Sequence, residues 1–169
     1  MKNVILTGMP GCGKSTIGVL LAKVLGYDFV DSDVLIQNKY GMLLREIIAK
    51  YGDEGFLQIE NDINKSIAYT NTVVATGGSV VYCKEAMEKF QKEDLIVYIN
   101  LPYEDIAGRL RNVKRRGVVL KEGQTLKNLY DERTSLYEKY AHITINSHGL
   151  DIEDLMDTIA GMVIIHNEY

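Results

Sequence analysis

Gly8-Met9-Pro10-Gly11-Cys12-Gly13-Lys14-Ser15 decides the reading of this chain, because of what stands on either side of it. The apolar run Asn3-Val4-Ile5-Leu6-Thr7 precedes it, and residues 16–25 follow with helical periodicity that stops at Gly26. The octapeptide fulfils G-x-x-x-x-G-K-[ST], and strand, glycine loop and helix is the context in which that pattern cradles phosphate. Glycines let backbone N–H groups turn toward a β-phosphate, and the helix N-terminus adds partial positive charge. Lys14 is placed to reach the β- and γ-phosphates, and the Ser15 hydroxyl to ligate Mg²⁺. Gly11, Cys12, Gly13, Lys14, Ser15 and Thr16 thus form an expected nucleoside-triphosphate site.

The rest of the composition narrows the partners. The 169 residues are 46% hydrophobic and 25% charged, which fits one ordinary globular domain with a real core. A net charge of −4 argues against a general nucleic-acid or membrane-surface binder. Cys12 and Cys83 form no C-x-x-C pair, and His142, His148 and His166 lack metal-site spacing. No signal peptide is apparent at the start, and no apolar run approaches membrane-spanning length. The expected setting is a reducing cytoplasm, with a monomeric chain.

Strands and helices alternate, so the expected fold is α/β: a three-layer α/β/α P-loop NTPase fold with a five-stranded parallel sheet. Strands are expected at Tyr27–Val30, Thr72–Thr76, Leu95–Ile99 and Ile143–Ile145 after the first. Helices are expected over Val34–Tyr40, Leu43–Tyr51, Asp53–Tyr69, Lys84–Gln91, Tyr103–Arg111, Thr125–Tyr140 and Ile152–Ile165. No repeat or interdomain linker interrupts this pattern.

Ligands in such sheets gather beyond the carboxyl ends of the strands. The second strand runs into Asp31-Ser32-Asp33, and residues at i and i+2 share one side of a strand. Two acids there suit two tasks, holding Mg²⁺ and accepting a proton from a substrate hydroxyl. Alternatively one of them caps the helix expected from Val34. The third strand ends in Thr76-Gly77-Gly78-Ser79, which permits close backbone approach to a ligand but equally makes a turn.

Arg133 falls on the apolar stripe of its helix, with Leu126, Leu129, Tyr130, Leu136, Tyr137 and Tyr140. An arginine there needs an anion: a structural salt bridge, or a substrate carboxylate held bidentately. Between Arg109 and Lys121 the chain carries Arg109, Arg111, Lys114, Arg115, Arg116 and Lys121 and no acid. This is a solvated basic loop or a phosphate-closing lid, and its place in the chain favours the lid. A Walker B aspartate is absent, since Leu95–Ile99 leads into Asn100, and so is the N-K-x-D of GTPases. A small phosphotransferase acting on a hydroxylated acid remains; a kinase-like regulatory module without an acceptor site is the competing class.

In this order the motifs resemble the shikimate kinase family, P-loop small-molecule kinases of nucleoside-monophosphate-kinase type. The similarity runs from the opening loop through Asp31-Ser32-Asp33, Gly77-Gly78 and the basic lid to Glu132-Arg133-Thr134-Ser135-Leu136-Tyr137. The resemblance implies ATP- and Mg²⁺-dependent phosphorylation of the 3-hydroxyl of shikimate. It assigns Asp33 to the substrate hydroxyls and to the base, with Gly77 and Gly78 beside the substrate. Asp31 and Ser15 would support the metal, and Arg133 would bind the carboxylate. Arg109 would pack on adenine, while Lys14 and Arg116 would meet the transferring phosphate. It also implies one kinase domain over 1–169, with a substrate-binding region at about 33–61 and a lid at about 112–124.

Three positions depart from the family pattern. The family's F-R-x-x-E is Phe56-Leu57-Gln58-Ile59-Glu60 here, its G-G-G is Gly77-Gly78-Ser79, and its lid R-P-L-L is Arg116-Gly117-Val118-Val119. The expected consequences are weaker carboxylate binding, rerouting of that contact to Arg45 or Lys39, or a different small alcohol as acceptor.

Overall fold

The structure is a computed structural model that describes residues 2–110, 118 and 120–168. Its sheet has five parallel strands: β1 (Val4–Thr7), β2 (Asp28–Asp31), β3 (Thr72–Ala75), β4 (Leu95–Asn100) and β5 (Ile143–Asn146). Their spatial order is β2-β3-β1-β4-β5. The three inner strands read as unbroken apolar runs because both of their faces are covered. The edge strands β2 and β5 keep exposed positions.

The helices are α1 (Lys14–Leu25), α2 (Ser32–Tyr40), α3 (Leu44–Lys65), α4 (Lys84–Glu93), α5 (Tyr103–Arg109), α6 (Leu126–Tyr140) and α7 (Ile152–Glu168). α1 packs with α7, and α4 packs with α3 and α6, which supplies the two helical layers of the expected α/β/α fold. Among the described residues no helix is long and apolar enough to cross a membrane. A second, smaller apolar cluster of Ile36, Ile47, Phe56, Ile59 and Ile63 joins α2 to α3 away from the main core.

Most differences from the sequence expectation lie at ends of elements. α2 begins at Ser32 rather than Val34, so Asp33 lies in its first turn and not on a strand. The cause is Asp31, whose carboxylate accepts hydrogen bonds from the Asp33 and Val34 backbone N–H groups at 3.0 and 3.3 Å. The two helices expected on either side of Gly52 run together as α3, broken at Gly52 itself (φ 71°, ψ 176°). α3 ends at Lys65, short of Tyr69. A 3-10 turn at Val80–Tyr82 follows the glycines after β3 and has no counterpart in the expectation.

This topology places one crevice. The chain leaves β1 for β2 and β3 on one side, then crosses to β4 and β5 on the other. Loops leaving the carboxyl ends of β1 and β3 therefore face each other across the switch point.

Candidate active site

A cavity of about 750 Å³ opens at that point. The phosphate loop forms one wall, with Gly11 through Ile17 lining it. α1 starts at Lys14 with Gly13 as its cap in the left-handed region (φ 100°). No side chain caps this helix and no acid lies in its first turn, so its N–H groups remain available to an anion. Lys14 is buried and donates to the carbonyls of Gly8 (2.8 Å) and Met9 (3.1 Å). The ammonium is thereby held over its own loop, where phosphates would lie.

The two acids after β2 divide their work. Asp31 Oδ2 accepts from the Ser15 hydroxyl at 2.7 Å while its other oxygen caps α2. The capping considered from sequence is thus present, in a carboxylate that also bonds the Ser15 hydroxyl. A hydroxyl and a carboxylate at the head of an uncapped helix are hard oxygen donors, a set that fits Mg²⁺ together with phosphate oxygens and waters. Asp33 lines the same cavity. Burial raises its pKa to about 6, Asp31 adds to the rise, and Lys14 opposes it. A carboxyl so tuned suits general-base work near neutral pH.

The glycines after β3 are there for close approach. A β-carbon on Gly77 would sit 2.5 Å from Glu60 Oε1 and 2.8 Å from Asp33 Oδ1. On Gly78 it would lie 2.7 Å from Pro10 Cδ and 3.0 Å from Arg133 Nη1. Tyr137, fully buried on α6 and stacked on Tyr98, donates to the Gly78 carbonyl at 2.5 Å. Asp33, the phosphate loop and Arg133 thus meet around this turn and line one cavity.

Arg133 is 5% exposed. None of the ion pairs among the described residues includes it, and its Nε has no hydrogen-bond partner. The structural salt bridge weighed from sequence is therefore not what holds it. Its guanidinium instead lies over the Tyr82 ring, 5.4 Å from the centroid. A buried cation outside every described ion pair, with its Nε unbonded and lining a cavity, is arranged to receive an anionic ligand.

Two of the departures from the family pattern, Leu57 and Ser79, line the same cavity. Leu57 lines the cavity, and Glu60 lies one helical turn further on, fully buried. Glu60 Oε2 accepts from the Ser79 hydroxyl at 2.6 Å and from the Cys83 thiol at 3.9 Å, whereas Oε1 has no partner. Burial raises the Glu60 pKa to about 7; Asp33 adds to this, while Ser79, Arg133 and Cys83 offset it. Ser79, read from sequence only as a departure, thus answers the missing cation at 57 by bonding the acid.

Several expectations stand elsewhere. Lys39 and Arg45 are exposed and line no part of the cavity, so neither replaces an arginine at 57. Arg109 does line it, and donates to the Gly11 carbonyl at 3.1 Å. Arg116 and most of the expected lid lie outside the described residues; Val118, Lys121 and Gln124 line the cavity. Ser147, Leu150 and Ile152, after β5, complete the wall and carried no motif that could have pointed to them.

Known proteins share this fold. The family model described as shikimate kinase matches residues 10–163. A shikimate kinase of Thermodesulfovibrio yellowstonii is 37% identical, across 94% of this chain and 93% of its own. Shikimate kinase from Acinetobacter baumannii, solved in complex with shikimate, superposes with a TM-score of 0.90 at 31% identity, covering 98% of this chain and 94% of that one. The Aquifex aeolicus shikimate kinase gives 0.84 at 28% identity, with 95% of each chain covered. Together with a phosphate loop, two acids and a buried arginine around one cavity, these matches show that the chain belongs to the shikimate kinase family.

Proposed function

We propose that this chain transfers the γ-phosphoryl group of ATP to the 3-hydroxyl of shikimate, giving shikimate 3-phosphate and ADP. The observation that carries the acceptor half is Arg133: a buried guanidinium without an ion-pair partner among the described residues, in the same cavity as the phosphate loop and Asp33. In this reading the loop amides and Lys14 hold the β- and γ-phosphates, and Arg133 holds the carboxylate so that the hydroxyl meets Asp33. Asp33 accepts the hydroxyl proton as the oxygen attacks phosphorus. Mg²⁺, held by Ser15 and Asp31, would neutralise charge on the phosphate oxygens. Gly77 and Gly78 give the acceptor ring its close approach, Arg109 the adenine contact, and Arg116 a further cation at the transferring phosphate. The remaining expectations, a single kinase domain with a lid near 112–124, a monomer and a cytoplasmic setting, belong to the same reading.

Shikimate-dependent ADP formation tests it. Turnover saturating with shikimate is expected, and none above background at millimolar shikimate would overturn it. Leu57 favours one second reading, another small hydroxy acid or sugar acid as acceptor, because the carboxylate end has one cation fewer than the family pattern. A panel of such acids in the same assay separates the two.

A further inference from the structure

Arg133 poses a problem that its own surroundings answer. A buried guanidinium is usually neutralised by a carboxylate, but a carboxylate would occupy the forked N–H donors that a ligand carboxylate needs. An aromatic face attracts the cation without taking those donors. Tyr82 supplies that ring, from the end of the 3-10 turn that follows Gly77-Gly78, and its hydroxyl also takes part in hydrogen bonding with the guanidinium, so it engages the fork at one corner without placing a charge on it. Gly78 bounds the same guanidinium, since a β-carbon there would stand 3.0 Å from Nη1.

Tyr82 is itself held. Its hydroxyl donates to Glu132 Oε1 at 2.6 Å, across 50 residues of sequence. Glu132 is exposed and immediately precedes Arg133 on α6; successive helical side chains do not face each other, and none of the described ion pairs joins the two. The hydrogen bond engages that carboxylate with the tyrosine. Glu60, whose carboxyl lies within electrostatic reach of Arg133, is bonded to Ser79 and Cys83.

Resting on the reading that Arg133 binds the acceptor's carboxylate, we propose that Tyr82 and Glu132 are a positioning pair. Tyr82 lies under the guanidinium and sets its plane, and Glu132 pins the tyrosine, so that the clamp is oriented without being spent on an internal ion pair. Glu132, prominent in the Glu132-Arg133 motif, gains a task there that phosphoryl transfer itself does not require of it.

Steady-state kinetics on the full chain with ATP and shikimate test this. Tyr82→Leu should raise the KM for shikimate ~tenfold, the scale of a desolvated cation–π contact, with kcat and the KM for ATP within about twofold. Tyr82→Phe, which keeps the ring, should bring the shikimate KM back to within about threefold of wild type. In an Arg133→Met background, Tyr82→Leu should add nothing further. An unchanged shikimate KM in Tyr82→Leu overturns the proposal, as does an equal change in kcat and in both KM values. If Tyr82→Leu does not fold by circular dichroism, the exposed Glu132→Ala carries the test: a rise of about threefold in shikimate KM supports the pair, and no rise overturns it. Should Arg133→Met leave shikimate KM unchanged, the carboxylate reading fails instead, a result the Tyr82 variants do not mimic.

Discussion

The donor and acceptor ends of one cavity are built in opposite ways. At the donor end the side chains are bonded within the chain, even though the first N–H groups of α1 carry no side-chain cap: Lys14 bonds two loop carbonyls, Ser15 bonds Asp31, and Asp31 caps α2. At the acceptor end Glu60 Oε1 and Arg133 Nε are buried with no partner. A site whose polar groups are already bonded is rigid before its ligand arrives. Buried groups without partners are a standing cost that a complementary ligand relieves. The first end holds its side chains in place, whereas the second leaves buried polar atoms for a ligand to satisfy.

Replacing Asp33 tests whether the two ends meet at one base. Asp33→Asn should lower kcat by ~10²–10⁴-fold, measured with both substrates saturating, while the KM for ATP stays near wild type. An unchanged kcat would mean that another group takes the proton. Lys14→Met acts on the donor end and should lower kcat by ~10²–10³-fold. Its expected mark is that shikimate KM does not rise with it, and a parallel rise would show that the two ends are not separable.

Leu57→Arg sharpens the contrast from the other side. One added charge-assisted bond to a carboxylate is worth roughly 1.5–3 kcal/mol, so shikimate KM should fall about ten- to a hundredfold. A KM that does not move would place Leu57 away from the bound carboxylate.

The smallest expected effect is on stability. Glu60 holds its proton more tightly folded, with a pKa of about 7 against an ordinary 4.5. Below about pH 4.5 both states carry the proton, and between there and about 7 the folded state alone keeps it. Stability therefore falls as pH rises through this window, by roughly 3 kcal/mol from this group. Asp33, raised to about 6, contributes in the same direction. Glu60→Gln should flatten the pH dependence of the denaturation midpoint between pH 5 and 7 relative to wild type, and an equal slope in both proteins would mean that Glu60 is not the group titrating.

Particular residues show why one end was more legible than the other. The phosphate loop is contiguous, its geometry follows from glycine spacing and a helix start, and it lies where the pattern places it. Asp31 needed only a contact across 16 residues to become both cap and partner of Ser15. Ser79 and Glu60 meet across 19 residues, and Tyr82 and Glu132 across 50, with no periodicity linking either pair. Arg133 showed on its helical stripe as a buried cation, but the stripe could not say whether an acid inside the protein waited for it.

The sequence by itself determined the parallel α/β order, the phosphate loop and the identity of the acids and the arginine. Those features are written in local spacing, and backbone geometry converts local spacing directly into position. Packing in three dimensions alone sets Arg133 against the Tyr82 ring and in none of the described ion pairs, brings the Ser79 hydroxyl to Glu60, and leaves Lys39 and Arg45 outside the cavity lining. Each of these depends on which distant segments pack together around the switch point of the sheet, and charge and burial at a point are properties of that packing.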